Sequence, residues 1–176
     1  MYKTSVLIFV FCLSVAFSAC TNESEETTDG ANSNASHAEI VENAVFTDLD
    51  GNDVDIKDFA GKIVLIDFWE SWCGPCLQVF PAMDDLREEY PDDFAMLAVT
   101  VGLSEGPNEA KAFAEEHGYD FNWLYDEYGV FENLGGQGIP FKVYVDPDGK
   151  LIEIEMGSRG SEGDYNSAKA KIQEYF

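Results

Sequence analysis

Apolar and polar positions divide the chain into three stretches. Val6 to Phe17 is apolar except for Ser14, a run too short to cross a bilayer as a helix. Residues 21–39 hold almost nothing apolar and many Ser, Thr, Asn and Glu, the composition of a solvated tether. From Val41 the pattern becomes that of a folded domain. "AVFTDLDGNDVDI" has two short β-prone pieces around Asp50-Gly51, which predicts a hairpin. "IVLIDFW", residues 63–69, is nearly continuously apolar, as in a strand covered on both faces of a sheet. "PCLQVFPAMDDLREEY" repeats apolar residues at helical spacing, with Leu77, Phe80, Met83 and Leu86 on one side and a kink predicted at Pro81. "FAMLAVTVG", residues 94–102, reads as a second central strand, and "NEAKAFAEEHG" as a helix stopped by Gly118. "KVYVDPDGKLIEIEM" alternates about a turn at Asp146–Gly149, and "EGDYNSAKAKIQEYF" closes the chain as an amphipathic helix. The order strand, helix, strand, helix, hairpin, helix predicts an α/β domain with a mixed sheet.

Composition adds constraints. The 176 residues suffice for one domain with an appendage. Thirty-four Asp and Glu against ten Lys and Arg give a net charge of −24, which repels phosphate backbones and excludes nucleic acid as a partner. The acids are scattered, so they read as a solubilising surface suited to a saline habitat more than as a selector of basic partners. Lys3, the apolar run and the small residues Ser18 and Ala19 have the layout of a secretory signal over residues 1–19. "FSAC" resembles a bacterial lipobox, with Phe17 where Leu is usual, so Cys20 is expected to carry lipid and to head a tether over residues 20–40. An ordinary signal peptide or a retained anchor is the other reading. A domain over 41–176 is then held at the cell envelope, facing the periplasm or the exterior. Cys12 leaves with the signal and Cys20 is lipidated, so Cys73 and Cys76 remain, which excludes a structural disulfide framework and suits redox work.

That pair lies where the strand 63–69 gives way to a helix. Residues three apart at a helix start share a face, which brings the two sulfurs within bonding reach. Amides at the helix start favour a thiolate at Cys73, and Pro75 fits the first turn, which needs no amide there. Cys73 would attack a substrate disulfide, and Cys76 would resolve the mixed disulfide into a Cys73–Cys76 bond. Zinc would need four ligands, and His37 in the tether and His117 at a helix end lie at no metal-site spacing, so no metal is expected. Inert burial fits poorly, because Trp72, Gly74 and Pro75 build a turn that should expose the first sulfur.

"LIDFWESWCGPC" resembles the active-site signature of thioredoxins. "FTDLDGNDVDIKDFAGKIVLIDFW" and "GIPFKVYVDPDGKLIEI" resemble the membrane-anchored TlpA/ResA-type branch, and the likeness spans residues 41–176. It implies a thioredoxin fold: a central mixed sheet flanked by helices, with an N-terminal β-hairpin extension and an inserted helix and strand before a cis-proline loop. By that resemblance Cys73 is the nucleophile, Cys76 the resolving cysteine, and Asp67 the buried carboxylate that relays a proton to or from the resolving thiol. An acid in an apolar strand should indeed hold its proton more tightly than usual. Ile139-Pro140 matches the cis-proline loop that offers backbone to an extended substrate, and Trp72, Gly74 and Pro75 are expected to face that substrate with it. The resemblance further implies a reductant of protein disulfides, such as the heme-binding cysteines of immature cytochromes c. A membrane thiol donor would regenerate it. No cofactor is implied, and the expected state is a monomer.

Two positions depart from the branch. Val79 stands where a Glu is usual, and Glu70 stands where a small residue such as Ala is common. Glu70 is either a solvated surface acid or a charge close enough to Cys73 to disfavour its thiolate. Rival functions are a peroxiredoxin-like peroxidase, which lacks its local Thr and Arg pattern here, and a non-catalytic binding or metal-delivery module, which does not account for an intact cysteine pair. The aromatics of "YDFNWLYDEYGVF" read as packing for the insertion. Gly135, Gly136 and Gly138 are expected to permit unusual backbone angles before Pro140.

Overall fold

The computed structural model describes residues 37–176. The signal, Cys20 and most of the expected tether lie outside the described residues. Helix α1 (residues 37–42) opens this part of the chain and buries Val41, so helix occupies the last residues of the stretch expected as tether. Strands β1 (Val45–Asp48) and β2 (Asp53–Asp55) form the predicted antiparallel hairpin, and a 3-10 helix, Ile56–Phe59, leads into β3 (Ile63–Trp69). Then come α2 (Gly74–Leu77), α3 (Phe80–Glu89), β4 (Phe94–Thr100), α4 (Pro107–His117), β5 (Asn122–Tyr125) and α5 (Val130–Asn133). The hairpin β6 (Phe141–Val145) and β7 (Leu151–Met156) and the long α6 (Ser161–Tyr175) complete the order.

The seven strands make one mixed sheet in the order β2-β1-β5-β4-β3-β6-β7. Strands β3, β4 and β5 run parallel, while β6 and β1 join them antiparallel on either side. The inserted β5 ties the N-terminal hairpin to the sheet. Every residue of β3 and β4 is buried, as their unbroken apolar runs require. Leu65 and Trp69 face one core with α3, α4 and α6; Val64, Ile66 and Phe68 face a second with α1, the 3-10 helix and α5.

The stretch read as one kinked helix is two helices. Pro81 falls in the first turn of α3, where its missing amide costs nothing, and its ring excludes continuous helix through residue 77. The chain therefore breaks at Gln78–Val79, ahead of the proline. Gly118 ends α4 in the left-handed region (φ 70°) with its amide on the Ala114 carbonyl, as predicted.

Candidate active site

Strand β3 leaves the sheet at Trp69, and residues 70–73 turn the chain into α2. The Cys73 amide donates to the Glu70 carbonyl at 3.0 Å, closing the turn. Cys73 caps α2: its Sγ accepts from the Cys76 amide at 3.2 Å. Cys73 and Cys76 form a disulfide with Cα atoms 5.3 Å apart. Trp72, Gly74 and Pro75 are exposed around it, Trp72 to 58%. The first sulfur is less open than expected. Cys73 is only 3% exposed, because in the disulfide it is drawn onto the fully buried Cys76 and packs into the core beside Trp69.

The Ile139–Pro140 bond is cis. Pro140 immediately precedes β6, whose Phe141 pairs with Phe68, so the cis-proline loop lies at the end of the sheet from which the disulfide turn departs. Of the three glycines before it, only Gly135 has positive φ (74°). Gly136 is required for another reason: an added Cβ would fall inside the ring of Phe131. The inserted aromatics pack as expected. Trp123 meets Trp69 edge-on with centroids 5.3 Å apart, and Phe121 meets Phe80 at 5.5 Å.

Asp67 shares a sheet face with Leu65 and Trp69 and is completely buried, with no hydrogen-bond partner for either carboxylate oxygen among the described residues. Burial holds its carboxyl well above the usual range; the Lys142 ammonium pulls it down and the Asp164 carboxylate pushes it up. Lys142 is its direct cross-strand partner on β6. That lysine, also fully buried, lies 2.5 Å from Asp164 Oδ1 and 3.1 Å from Glu155 Oε2. The sequence reading missed this group. Its only signal was a lysine at the alternate position of "FKVYV", which reads as the wet side of a strand until α6 is placed over it.

Glu70 is not a solvated surface acid, since it has no exposed surface at all. Its carboxylate accepts from the Trp72 indole N–H at 2.6 Å, from the Leu103 and Ser104 amides, and from the Ser104 hydroxyl at 2.8 Å. Glu105 reaches back across the same gap and accepts from the Ser71 amide at 2.7 Å and from the Ser71 hydroxyl. The redox turn and the loop after β4 thus exchange carboxylates, which fixes the two against each other. Trp72 and Leu103, both more than half exposed, are the apolar groups on this rim. Beside it opens a cleft of about 480 Å³, whose lining includes Leu103, Phe131, Glu132 and Gly136. Val79 is buried in the core, so the helix contributes no carboxylate at that position.

Comparison with known proteins agrees with this geometry. A family model described as Redoxin matches residues 5–172. Thioredoxin-like protein YneN of Bacillus subtilis is 33% identical over 111 residues, covering 62% of this chain and 65% of its own. Thiol-disulfide oxidoreductase ResA of Bacillus thuringiensis subsp. konkukian is 31% identical over 121 residues, covering 68% and 69%. The chain thus spans about two thirds of the length of these relatives. The structure of the pneumococcal exposed lipoprotein thioredoxin Etrx1 from Streptococcus pneumoniae superposes with a TM-score of 0.60 at 26% identity, covering 72% of this chain and 98% of that one.

Proposed function

Because the chain belongs to the Redoxin family and is a thioredoxin-like thiol–disulfide oxidoreductase, we propose that it reduces protein disulfides outside the cytoplasm. The observation that carries this is a Cys73–Cys76 disulfide beneath an exposed rim, with a buried, partnerless carboxylate on the same face of the sheet. In the reduced protein the Cys73 thiolate attacks one sulfur of a substrate disulfide, and the other substrate sulfur leaves as a thiolate. Ionised Asp67 takes the proton of the Cys76 thiol. The Cys76 thiolate then attacks Cys73 Sγ, the second substrate thiolate leaves, and two electrons have passed to the substrate. The product is the disulfide seen in the structure, which a membrane thiol donor must reduce for another cycle.

Substrate docks on Trp72, Gly74 and Pro75 and along the backbone at Ile139-Pro140. Glu70 acts through this surface: it holds Trp72 and the 103–104 loop in place. The heme-binding cysteine pair of an immature cytochrome c is one proposed substrate, on the TlpA/ResA resemblance alone. Residues 1–19 serve as signal, Cys20 as the lipid anchor and residues 20–40 as tether, with the domain acting as a monomer. The signal-like layout and the likeness to an exposed lipoprotein support the anchor.

Insulin reduction with dithiothreitol tests the activity. Turnover is expected from the native chain and none from Cys73→Ser, while Cys76→Ser should accumulate a mixed disulfide. Equal turnover by Cys73→Ser would overturn the assignment. A reduction potential near about −270 mV supports the reducing direction, and one near about −120 mV contradicts it. A fatty-acid label retained by the native chain and lost in Cys20→Ser tests the anchor.

A further inference from the structure

Lys142 takes no part in the exchange just set out, yet it is the one lysine fully buried among the described residues. Burying an ammonium is costly unless carboxylates meet it. Asp67, Lys142 and Glu155 are successive register partners across β3, β6 and β7, and α6 adds Asp164 from above. The row reaches the sheet edge through Arg159 and Lys171, which both contact Glu155 at 3.1 and 3.2 Å, and Lys171 also meets Glu153. Asp164 is held in turn by the Ser158 hydroxyl at 2.6 Å and the Arg159 amide at 3.2 Å. Three cations (Lys142, Arg159, Lys171) thus balance three carboxylates (Glu153, Glu155, Asp164). Asp67 is the unmatched acid.

The groups around Asp67 can be taken element by element. From β6 come Lys142 and the buried Tyr144 hydroxyl, held neutral by burial. From α6 comes Asp164, and from β7 Glu155, which reaches the Lys142 ammonium at 3.1 Å. On the other side β4 presents Ala98, and α3 brings only apolar side chains to this core. Among the described residues a negative charge placed on Asp67 therefore has one cation, Lys142, to offset it.

We propose that Lys142 is a positioning residue for proton transfer at Asp67: its ammonium, held by Asp164 and Glu155, sets the pH at which Asp67 can accept the Cys76 proton. The proposal rests on Asp67 being the base of the exchange. Lys142 favours ionised Asp67 and Asp164 opposes it, so the two substitutions have opposite signs. Lys142→Met is expected to move the Asp67 titration up by about one pH unit or more, and Asp164→Asn to move it down by about as much.

The titration is read in the oxidised protein by carboxyl carbon NMR of labelled aspartate, with Asp67→Asn assigning the signal. The same variants are then followed through the pH profile of insulin reduction. Opposite shifts in both measurements support the proposal. Shifts of the same sign, no shift, or opposite titrations without a matching change in the rate profile overturn it. A rate profile unchanged by Asp67→Asn is a different failure, that of Asp67 as the base. Should Lys142→Met not fold, Lys142→Met/Asp164→Asn preserves charge balance. Its titration should then lie above that of Asp164→Asn alone, and coincidence of the two would sink the idea.

Discussion

Removing the Glu70 carboxylate should loosen the rim of the site more than it alters the chemistry of the sulfurs. In Glu70→Ala four donors lose their acceptor: the Trp72 indole, the Leu103 and Ser104 amides and the Ser104 hydroxyl. Trp72 and Ser104 have exposed surface, so water can replace their bonds. The two amides are less accessible, and a hydrogen bond to a charged group contributes about 1.5–3 kcal/mol. Allowing for partial hydration, the expected loss is about 2–4 kcal/mol. For a domain of this size that corresponds to a fall in Tm on the order of 10 °C. Thermal unfolding of the oxidised protein, followed by circular dichroism, measures it. Exchange of the Trp72 indole proton should accelerate in the same variant, and KM for insulin should rise more than kcat falls. A Tm within about 2 °C of the native value, with Trp72 still protected, would refute the reasoning.

Two further outcomes follow from buried positions. Asp67 has a raised folded-state pKa, so its protonated form stabilises the fold at low pH and that stability is lost as pH rises through the folded value. Between the unfolded value near 4 and the folded value the native protein should lose about 1.4 kcal/mol per pH unit, so Asp67→Asn should unfold at higher temperature than native at pH 8 and match it near pH 4. An Asn variant no more stable at pH 8 contradicts this. Gly136→Ala places a methyl group in the ring of Phe131, a largely buried residue of the second core that would have to shift to admit it. A loss of about 1–3 kcal/mol in urea unfolding is expected, and an unchanged midpoint would show that the loop before Pro140 is softer than its packing indicates.

Much of this architecture was legible in the residues. The run at 63–69 and the turns at 50–51 and 146–149 carry strong local signals, and the cysteine pair with Asp67 and Ile139-Pro140 carried the likeness to thioredoxins. What escaped were partnerships made across the chain. Glu70 leaves a surface acid and a charge beside Cys73 equally open in the sequence, because its burial is produced by amides more than thirty residues later, which leave no mark on neighbouring sequence. Lys142 sits on an alternating strand and looks solvent-facing; only the packing of α6 turns that side inward. The openness of Cys73 was misjudged for a related reason, since a turn of Trp, Gly and Pro says nothing of how far the disulfide draws the sulfur into the core.

The charge row also ties the redox turn to the order in which the chain is made. Asp67 and both cysteines emerge within the first half, whereas Lys142, Glu155 and Asp164 all follow residue 140. Until β6 pairs with β3 the Asp67 carboxylate lacks its cation, and until α6 docks the lysine lacks its Asp164 partner and its cover. A nascent domain would therefore carry Asp67 as a solvated acid, without the burial that raises its pKa in the finished fold. Cys73 has its helix-start amide as soon as α2 forms, whereas the charge row that surrounds Asp67 is complete only when the last helix is in place.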